Sequence, residues 1–148
     1  MNLWLFTVGG KTTSGPAFDL RQDYLARASR YLPCELKVAA SEEKLLEAVH
    51  RAAGRTRPAL ILADSAGALL TSTEFANELS KRIDSGIQLL VMAIGPADGW
   101  SAAARGRADL LLSFGRITLP HELAAVVAAE QIYRALTIRA RHPYHSGH

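Results

Sequence analysis

Short runs of apolar residues alternate along the chain with longer segments in which apolar positions recur every three or four residues. Apolar runs bounded by glycine, proline or polar residues indicate strands, whereas the wider spacing indicates amphipathic helices. The pattern predicts five strands, over residues 3–8, 35–39, 59–63, 87–94 and 110–112. It predicts helices over residues 18–32, between Ser41 and Gly54, between Thr71 and Gly86, briefly after Ser101, and over residues 121–139.

Predicted strands and helices follow one another in strict alternation. This order predicts an α/β fold with a mostly parallel sheet and helices on both of its faces. The run over residues 87–94 is the longest apolar run and predicts a central strand that is buried on both faces. Because ligands of such sheets bind beyond the carboxyl ends of the strands, the candidate binding loops are 63–70, 95–100 and 113–120.

The size and composition of the chain indicate one domain, residues 1–148, of which 49% are hydrophobic. A chain of this length buries roughly two-thirds of its unfolded surface, which is enough for a core without disulfides or metal. The single cysteine, Cys34, excludes an internal disulfide framework and suits a reducing compartment. No apolar run approaches the roughly 20 residues that span a bilayer, and the start lacks the basic segment of a signal peptide. We therefore expect a cytoplasmic protein without a membrane partner.

Positive charge is concentrated in the C-terminal third. The net charge is +3, and from residue 105 onward six arginines accompany only three acidic residues. Arginine is the side chain best suited to bidentate binding of phosphate. The charge therefore permits a nucleic-acid partner, although it does not by itself require one.

Three loop motifs have both a structural and a functional interpretation. Gly9-Gly10-Lys11-Thr12 resembles part of a phosphate-binding loop, but Leu5 stands where that motif needs glycine, so we interpret it as a strand-ending turn. The segment 64–67, Asp-Ser-Ala-Gly, is equally compatible with a turn and with a carboxylate that orients a ligand. The segment 95–99 carries a glycine at each end and follows the longest apolar run, which favours a ligand-binding loop.

Cysteine and histidine positions do not indicate a catalytic thiol or a metal centre. Cys34 lies far in sequence from the histidine-rich segments, which favours a small buried residue over a nucleophile. His142, His145 and His148 resemble a metal tract, but no cysteine or carboxylate joins them, so we predict no metal. The alanines of the 121–139 helix predict close packing against another element, which could be a second subunit.

Linked motifs stand in the C-terminal third. Residues 113–123 follow the pattern Ser-x-x-x-x-Thr-x-Pro-His-x-Leu, residues 130–135 read Glu-Gln-x-Tyr-Arg-Ala, and residues 143–145 read Pro-Tyr-His. As a set in this order and spacing, they resemble the ribosomal RNA large subunit methyltransferase H family of the SPOUT superfamily. Asp64-x-x-Gly67 and Ile94-Gly95-x-Ala97-Asp98-Gly99 extend the resemblance over nearly the whole chain, and it is weakest before Asp64.

The resemblance implies a fold and a reaction that the periodicity alone does not. The implied fold is a SPOUT-type α/β domain whose C-terminal part forms a trefoil knot, in a homodimer. The implied reaction is the methylation of N3 of a pseudouridine in 23S rRNA, on the assembled ribosome, with S-adenosylmethionine bound in the knot. DNA is not an expected partner.

Site residues are carried over from the family by position. For the cofactor, the resemblance implies Ala63, Gly95, Phe114, Gly115, Arg116, Ile117, Thr118 and Leu119. For catalysis and substrate binding it implies Arg134, Tyr144 and His145, with His121 and His142 as further candidates. In this interpretation His145 accepts the N3 proton, Arg134 holds a phosphate or the developing anion, and Tyr144 stacks on the base.

Four positions depart from the family pattern. Pro96 stands in place of a glycine, Ala68 in place of a lysine, Gly115 in place of a serine and Ser146 in place of a basic residue. Pro96 removes one backbone N–H near the expected cofactor, and Ser146 removes one phosphate partner. Two alternatives therefore stay open: a SPOUT methyltransferase with a different nucleoside target, and a ribosome-binding module of this fold that has lost catalysis.

Overall fold

The computed structural model describes residues 1–10 and 14–146. Strands and helices alternate along it in the predicted order. The strands are β1 (Asn2–Val8), β2 (Cys34–Ala39), β3 (Ala59–Leu69), β4 (Leu89–Ile94) and β5 (Leu110–Ser113). The helices are α1 (Pro16–Ala28), α2 (Glu42–Arg51), α3 (Ser72–Asp84), α4 (Ala102–Arg107) and α5 (His121–Arg139), followed by a short 3₁₀ helix, Pro143–His145.

The five strands form a parallel sheet with the order β2-β1-β4-β3-β5. β4 lies at its centre, and all six residues of this strand are buried. The predicted parallel sheet and its apolar central strand are thus confirmed. β4 begins two residues later than predicted because Gln88 binds the segment before β3: its N–H donates to Thr56, and its side-chain oxygen accepts from the N–H of Arg55.

Each face of the sheet carries its own apolar core, because successive strand residues point to opposite faces. On one face, α1, α3 and α5 pack on strand side chains that include Leu5 and Met92. On the other face, α2 and α4 pack on strand side chains that include Phe6 and Val91. The helices therefore cover both faces, as the alternating order predicts.

Short polar side chains determine where several helices begin and end. The starts of α2, α3 and α4 are capped by hydroxyls that accept from the N–H three residues further on, those of Ser41, Thr71 and Ser101. At α3, Glu74 completes a capping box by accepting from the N–H of Thr71 at 2.9 Å. α1 ends at Ala28, before its predicted end, and the Ser29 hydroxyl that follows it joins Leu25 of the last turn to the backbone of Cys34 in β2.

β3 extends beyond its predicted end and contains a bulge. Ala63 and Ala68 both pair with Leu112 of β5, so the residues between them are displaced from the ladder. The strand then continues to Leu69. The prediction of a loop over residues 63–70 is therefore wrong for most of that segment, because a turn inside a bulge does not end a strand.

Two residues of the 64–67 motif build this bulge. Oδ1 of Asp64 accepts from the N–H of Ala66 at 2.8 Å, which is the side-chain turn that the sequence allowed at this position. Gly67 then lies directly against β5, where a Cβ would be 2.6 Å from the backbone carbon of Leu111. The glycine is required here by a close approach of two backbones.

The alanines of α5 belong to the core of this chain. α5 packs against α1, α3 and the sheet. Its alanines at positions 125, 128, 129 and 135 are at most 2% exposed. The element that these small residues pack against is thus supplied by the same chain, so the interpretation that they indicate a second subunit is wrong.

Within residues 1–10 and 14–146, no helix is both long and apolar enough to cross a bilayer. The longest helix, α5, has 19 residues and carries charged side chains at both of its ends. The trefoil knot that the resemblance implies stays a prediction.

Candidate functional site

A cavity of about 380 Å³ opens where the pairing between β3 and β4 stops, beside the β3 bulge and the carboxyl end of β4. Ligands of parallel α/β sheets bind at this edge, and the volume lies in the range of small-molecule sites. Half of the residues predicted to bind a cofactor line this first cavity, namely Ala63, Gly95, Thr118 and Leu119. His121, the first residue of α5, also lines it.

Trp100 forms a buried wall of the first cavity; it lies in the predicted binding loop 95–100 but was not named among the candidate site residues. Its indole Nε1 donates to the carbonyl of Ala63 at 2.8 Å. Its ring lies against Gly95, where a Cβ would be 2.6 Å from Cε2 of the indole. The indole therefore links the start of the β3 bulge to the residue that follows β4, and it explains why residue 95 is glycine. An aromatic residue directly after a glycine-bounded loop was the one signal for it.

Asp64 forms the side-chain turn of its first interpretation, and it also lines the first cavity, so its role toward a ligand stays a prediction. Its side chain is buried, and Oδ2 lies 2.9 Å from Nε of Arg105 in an ion pair that is not aligned as a hydrogen bond. Since Oδ1 already accepts from Ala66, the carboxylate joins the β3 bulge to α4. Arg105 also lines the first cavity, so this ion pair fixes one of its walls.

The remaining predicted cofactor residues lie outside the first cavity. Phe114 and Gly115 line a second cavity of about 270 Å³ between β5, α3 and α5. Gly115 has a φ of 118°, held by Ser113, whose hydroxyl accepts from the N–H of Gly115 and donates to its carbonyl. Arg116 and Ile117 line neither cavity, and Ile117 is 75% exposed. The predicted run 114–119 is thus divided between two cavities and solvent.

The three residues predicted to act on the substrate come together beside α5. Nη1 of Arg134 lies 2.9 Å from Nδ1 of His145, and the guanidinium carbon lies 5.0 Å from the centroid of the Tyr144 ring. Glu130 links them, because its Oε1 accepts from Arg134 Nη2 at 2.5 Å and from the Tyr144 hydroxyl at 3.1 Å. Glu130 was not predicted, although an acidic residue four positions before an arginine on a helix is a known ion-pair signal. We call these four residues the tail cluster.

The segment after α5, residues 140–146, returns to the side of this helix because the chain reverses where the helix ends. Arg141 has a φ of 59°, in the left-handed region, and the N–H of His142 donates to the carbonyl of Thr137 at 2.9 Å. These are features of a Schellman motif, which usually has glycine at the left-handed position. His142 then caps the 3₁₀ helix, with Nδ1 accepting from the N–H of Tyr144. This histidine therefore has a structural role in the reversal.

Tyr144 is held as a protonated phenol. Its ring packs edge-on against Tyr133, with centroids 4.6 Å apart. Burial raises the pKa of Tyr144, and the carboxylate of Glu130 raises it further. At neutral pH this side chain is therefore a hydrogen-bond donor and an aromatic surface.

The first cavity and the tail cluster are separated along α5. Arg134 follows His121 by thirteen positions, and at about 1.5 Å per residue this corresponds to about 20 Å along the helix. Gln131 instead connects the tail cluster to the second cavity: it accepts from Ser72 at 2.7 Å and donates to Glu130 at 2.7 Å. One chain by itself does not bring the tail cluster to the first cavity.

The other candidate residues fit structural roles where they are described. Gly9 and Gly10 have φ values of 74° and 69°, as expected of a strand-ending turn, whereas Lys11 and Thr12 of that motif lie outside the described residues. Burial raises the pKa of Cys34 to about 12, which disfavours a nucleophilic thiolate. His148 also lies outside the described residues, and in the part of the chain that is described no three metal-ligating side chains cluster.

A family model described as a predicted SPOUT methyltransferase matches residues 1–145. Relatives that carry the name ribosomal RNA large subunit methyltransferase H match nearly the whole chain. The protein from Koribacter versatilis is 48% identical over 139 residues, which cover 94% of each chain. Those from Brucella anthropi and Cereibacter sphaeroides are 37% and 41% identical, over 98% of this chain and 99% of theirs.

A solved structure shares the fold. It is the SpoU methyltransferase AviRb from Streptomyces viridochromogenes in complex with the cofactor AdoMet, with a TM-score of 0.50 and 17% identity. The match covers 95% of this chain but only 58% of that chain, less than two thirds of its length. Together with the parallel sheet and the full-length relatives, these matches show that the chain belongs to the SPOUT methyltransferases, in the ribosomal RNA large subunit methyltransferase H family.

Proposed function

We propose that the protein transfers a methyl group from S-adenosylmethionine to N3 of a pseudouridine in 23S rRNA of the assembled ribosome, in the cytoplasm. Full-length relatives at 37–48% identity, named as methyltransferases of large-subunit ribosomal RNA, support this substrate. The observation that carries the proposal is the convergence of Arg134, Tyr144 and His145 in the tail cluster. These residues offer a fixed cation, an aromatic surface and an imidazole, which together suit an unpaired nucleobase.

The first cavity fits S-adenosylmethionine. The backbone of Gly95 lines this cavity, Thr118 offers a hydroxyl, and Trp100 and Leu119 provide apolar surface. Nε2 of His121 is buried and has no hydrogen-bond partner within the described residues, so it is available to a polar group of a ligand. When bound, the cofactor supplies a methyl group that its positively charged sulfonium makes electrophilic.

The tail cluster supplies the grip on the substrate. The guanidinium of Arg134 stabilises negative charge that develops on the base when N3 loses its proton. The ring of Tyr144 offers a stacking surface whose hydroxyl is fixed by Glu130. His145 adds an imidazole beside Arg134, with Nδ1 2.9 Å from Nη1 of the guanidinium.

A homodimer is part of the proposal, in which the tail of one subunit reaches the first cavity of the other. The separation of about 20 Å along α5 supports it, because a single chain keeps the two sets of residues apart. Ile117 and Leu69, beside the two cavities, are 75% and 64% exposed, and a partner would remove this apolar surface from water. The trefoil knot is expected to hold the 114–119 segment in place at this interface.

The direct test is methyl transfer from labelled S-adenosylmethionine to ribosomes that lack the modification, followed by mass mapping of 23S rRNA. We expect one methyl group on one pseudouridine, with assembled ribosomes preferred over free rRNA. Arg134→Ala should lower kcat/KM by at least about 100-fold, with cofactor affinity unchanged. The matched control is Arg27→Ala, which removes an exposed arginine that pairs with Asp23 in the same helical spacing, and it should retain activity.

Other outcomes of this experiment identify the alternatives. A methyl group on another nucleoside would show that the protein is a methyltransferase but that its target is not the proposed pseudouridine. Calorimetry that finds S-adenosylmethionine binding at micromolar Kd, about −8 kcal/mol, would support the cofactor site. Absence of both binding and transfer would favour the ribosome-binding module and refute the proposal.

The dimer is tested by complementation. Thr118→Trp fills the first cavity from an exposed position, and Arg134→Ala disables the tail cluster. Each variant alone should be inactive, whereas mixed dimers should recover activity because one of their two composite sites is intact. Failure of mixed dimers to recover activity would contradict a site shared between subunits.

A further inference from the structure

Glu130 uses both of its carboxylate oxygens inside the tail cluster. Oε1 accepts from Nε and Nη2 of Arg134, at 2.8 and 2.5 Å, and from the Tyr144 hydroxyl. Oε2 accepts from Nε2 of Gln131 at 2.7 Å. The side chains of Glu130 and Arg134 are mostly buried, so this arrangement is shielded from water. The carboxylate therefore holds the guanidinium in one orientation, in which Nε and Nη2 face Glu130 and Nη1 does not bond to it.

That remaining nitrogen determines the state of His145. Nη1 of Arg134 lies 2.9 Å from Nδ1 of the imidazole. A guanidinium only donates hydrogen bonds, so Nδ1 must be the acceptor. A neutral imidazole carries its single proton on the other nitrogen, which here is Nε2. The opposite tautomer would set two N–H donors against each other at this distance.

We propose that Glu130 is a positioning residue that acts through Arg134 to fix His145 as the Nε2–H tautomer, so that His145 donates a hydrogen bond to the target base. Nε2 of His145 makes no hydrogen bond within the described residues, so its N–H is available for this contact. The assignment differs from the expectation that His145 accepts the N3 proton. The identity of the group that accepts this hydrogen bond, the target base, rests on the proposed function. The tautomer of His145 does not depend on that function.

The chemistry balances without a protein base. Methylation of N3 breaks the N3–H bond and the bond between the methyl carbon and the sulfonium sulfur of the donor, and it forms one N–C bond. The sulfur keeps its electron pair as a neutral thioether, and the proton passes to water. The negative charge left by that proton spreads onto the carbonyl oxygens beside N3. A hydrogen bond from Nε2–H of His145 to one of those oxygens stabilises the charge as it develops, in the way that oxyanion donors act in other enzymes. The guanidinium of Arg134, which is paired with Glu130, adds further N–H donors beside His145.

The first test reads the tautomer directly, without cofactor or RNA. Long-range ¹H–¹⁵N correlation spectra of the ¹⁵N-labelled protein near pH 8 separate protonated from unprotonated imidazole nitrogens. The signals of His145 are identified by their loss in His145→Gln. We expect an unprotonated Nδ1 and a protonated Nε2. In Glu130→Gln, which weakens the hold on Arg134, the two nitrogens should shift toward the average of exchanging tautomers.

The matched control for this spectrum is Glu47→Gln. Glu47 accepts from Arg51 with the same helical spacing but on the exposed surface of α2, so its loss should leave the His145 signals unchanged. A protonated Nδ1 in the parent protein, or a pattern that Glu130→Gln does not alter, would overturn the proposal.

The second test separates a donor from a proton acceptor. His145→Gln keeps an N–H donor near the position of Nε2 but supplies no base, so we expect kcat within about tenfold of the parent. His145→Ala removes the donor and should lower kcat by about 100-fold or more. Equal losses in the two variants, with cofactor affinity unchanged, would refute the donor role. Absence of methyl transfer by the parent protein would instead refute the proposed function, and the spectra would still decide the tautomer.

Discussion

The contact between Gly95 and Trp100, in the wall of the first cavity, predicts how much stability the protein loses when Gly95 is replaced by alanine. Gly95 does not have a left-handed backbone angle, so Gly95→Ala adds no backbone strain and its cost comes from space alone. The new Cβ would lie 2.6 Å from Cε2 and 2.9 Å from Cζ2 of the indole, well inside van der Waals contact. The indole must therefore move, which breaks its hydrogen bond to the carbonyl of Ala63.

The expected loss of stability is the sum of two free-energy costs, one for the overpacked core and one for the broken hydrogen bond. Overpacking a core costs about 1–3 kcal/mol, and loss of a hydrogen bond adds about 1 kcal/mol. We therefore expect Gly95→Ala to lower the free energy of unfolding by about 2–4 kcal/mol. With a urea m-value of about 2 kcal/mol/M, the unfolding midpoint should fall by about 1–2 M.

The assay is urea unfolding followed by circular dichroism at a fixed protein concentration. Trp100→Leu removes the ring that the new Cβ would meet, so in that background Gly95→Ala should cost less than about 1 kcal/mol, a coupling of about 2 kcal/mol. The control is Gly106→Ala in α4, where a Cβ meets nothing within 4 Å, and the change should stabilise by about 0.5–1 kcal/mol. Equal costs of Gly95→Ala in both backgrounds would refute the claim that the indole requires the glycine.

Three further predictions follow from single sites. Arg141→Gly relieves a left-handed backbone angle, which costs a residue with a side chain about 1–2 kcal/mol, so thermal unfolding should shift upward, and a lower Tm would contradict the strain. The hydrogen bond from Arg82 lowers the pKa of Glu78, so the stability that this pair contributes is present above the ordinary Glu pKa and is lost as pH falls through the lowered value. Glu78→Gln should remove that acid dependence of the unfolding free energy in urea titrations. An unchanged pH profile would reject the contribution of this pair. Because burial raises the pKa of Cys34 to about 12, iodoacetamide at pH 8 should alkylate the folded protein far more slowly than the unfolded chain, and equal rates would disprove the burial effect.

The sheet could be predicted from the sequence because its strands are short apolar runs that end at turn residues. The starts of α2, α3 and α4 could also be predicted, because Ser41, Thr71 and Ser101 cap them through hydrogen bonds to residues only three positions away. The extension of β3 could not be predicted, because Asp64 and Gly67 have the chemistry of a turn and the pairing partner lies in β5, more than forty residues away. Local rules indicate the turn but not the strand that continues after it.

Residues of the candidate site divide in the same way. The link between Glu130 and Arg134 follows helical spacing and was accessible to sequence reasoning. The contact from Trp100 to Ala63 spans 37 positions and depends on how the β3 bulge and the end of β4 come together. The reversal at Arg141 lacked a signal, because the left-handed position of a Schellman motif is usually glycine. Whether the alanines of α5 face this chain or a partner also depends on tertiary packing, which composition does not encode.

The placement of Trp100 provides the protein with an intrinsic optical reporter. Indole emission responds to the polarity of its surroundings and to nearby aromatic ligands, and this indole forms part of the wall of the first cavity. The chain has only one other tryptophan, Trp4, which lies on β1 and contacts Lys37 of β2. In a Trp4→Phe background, a change in fluorescence would therefore report occupancy of the cavity in real time, without any label attached to ligand or protein.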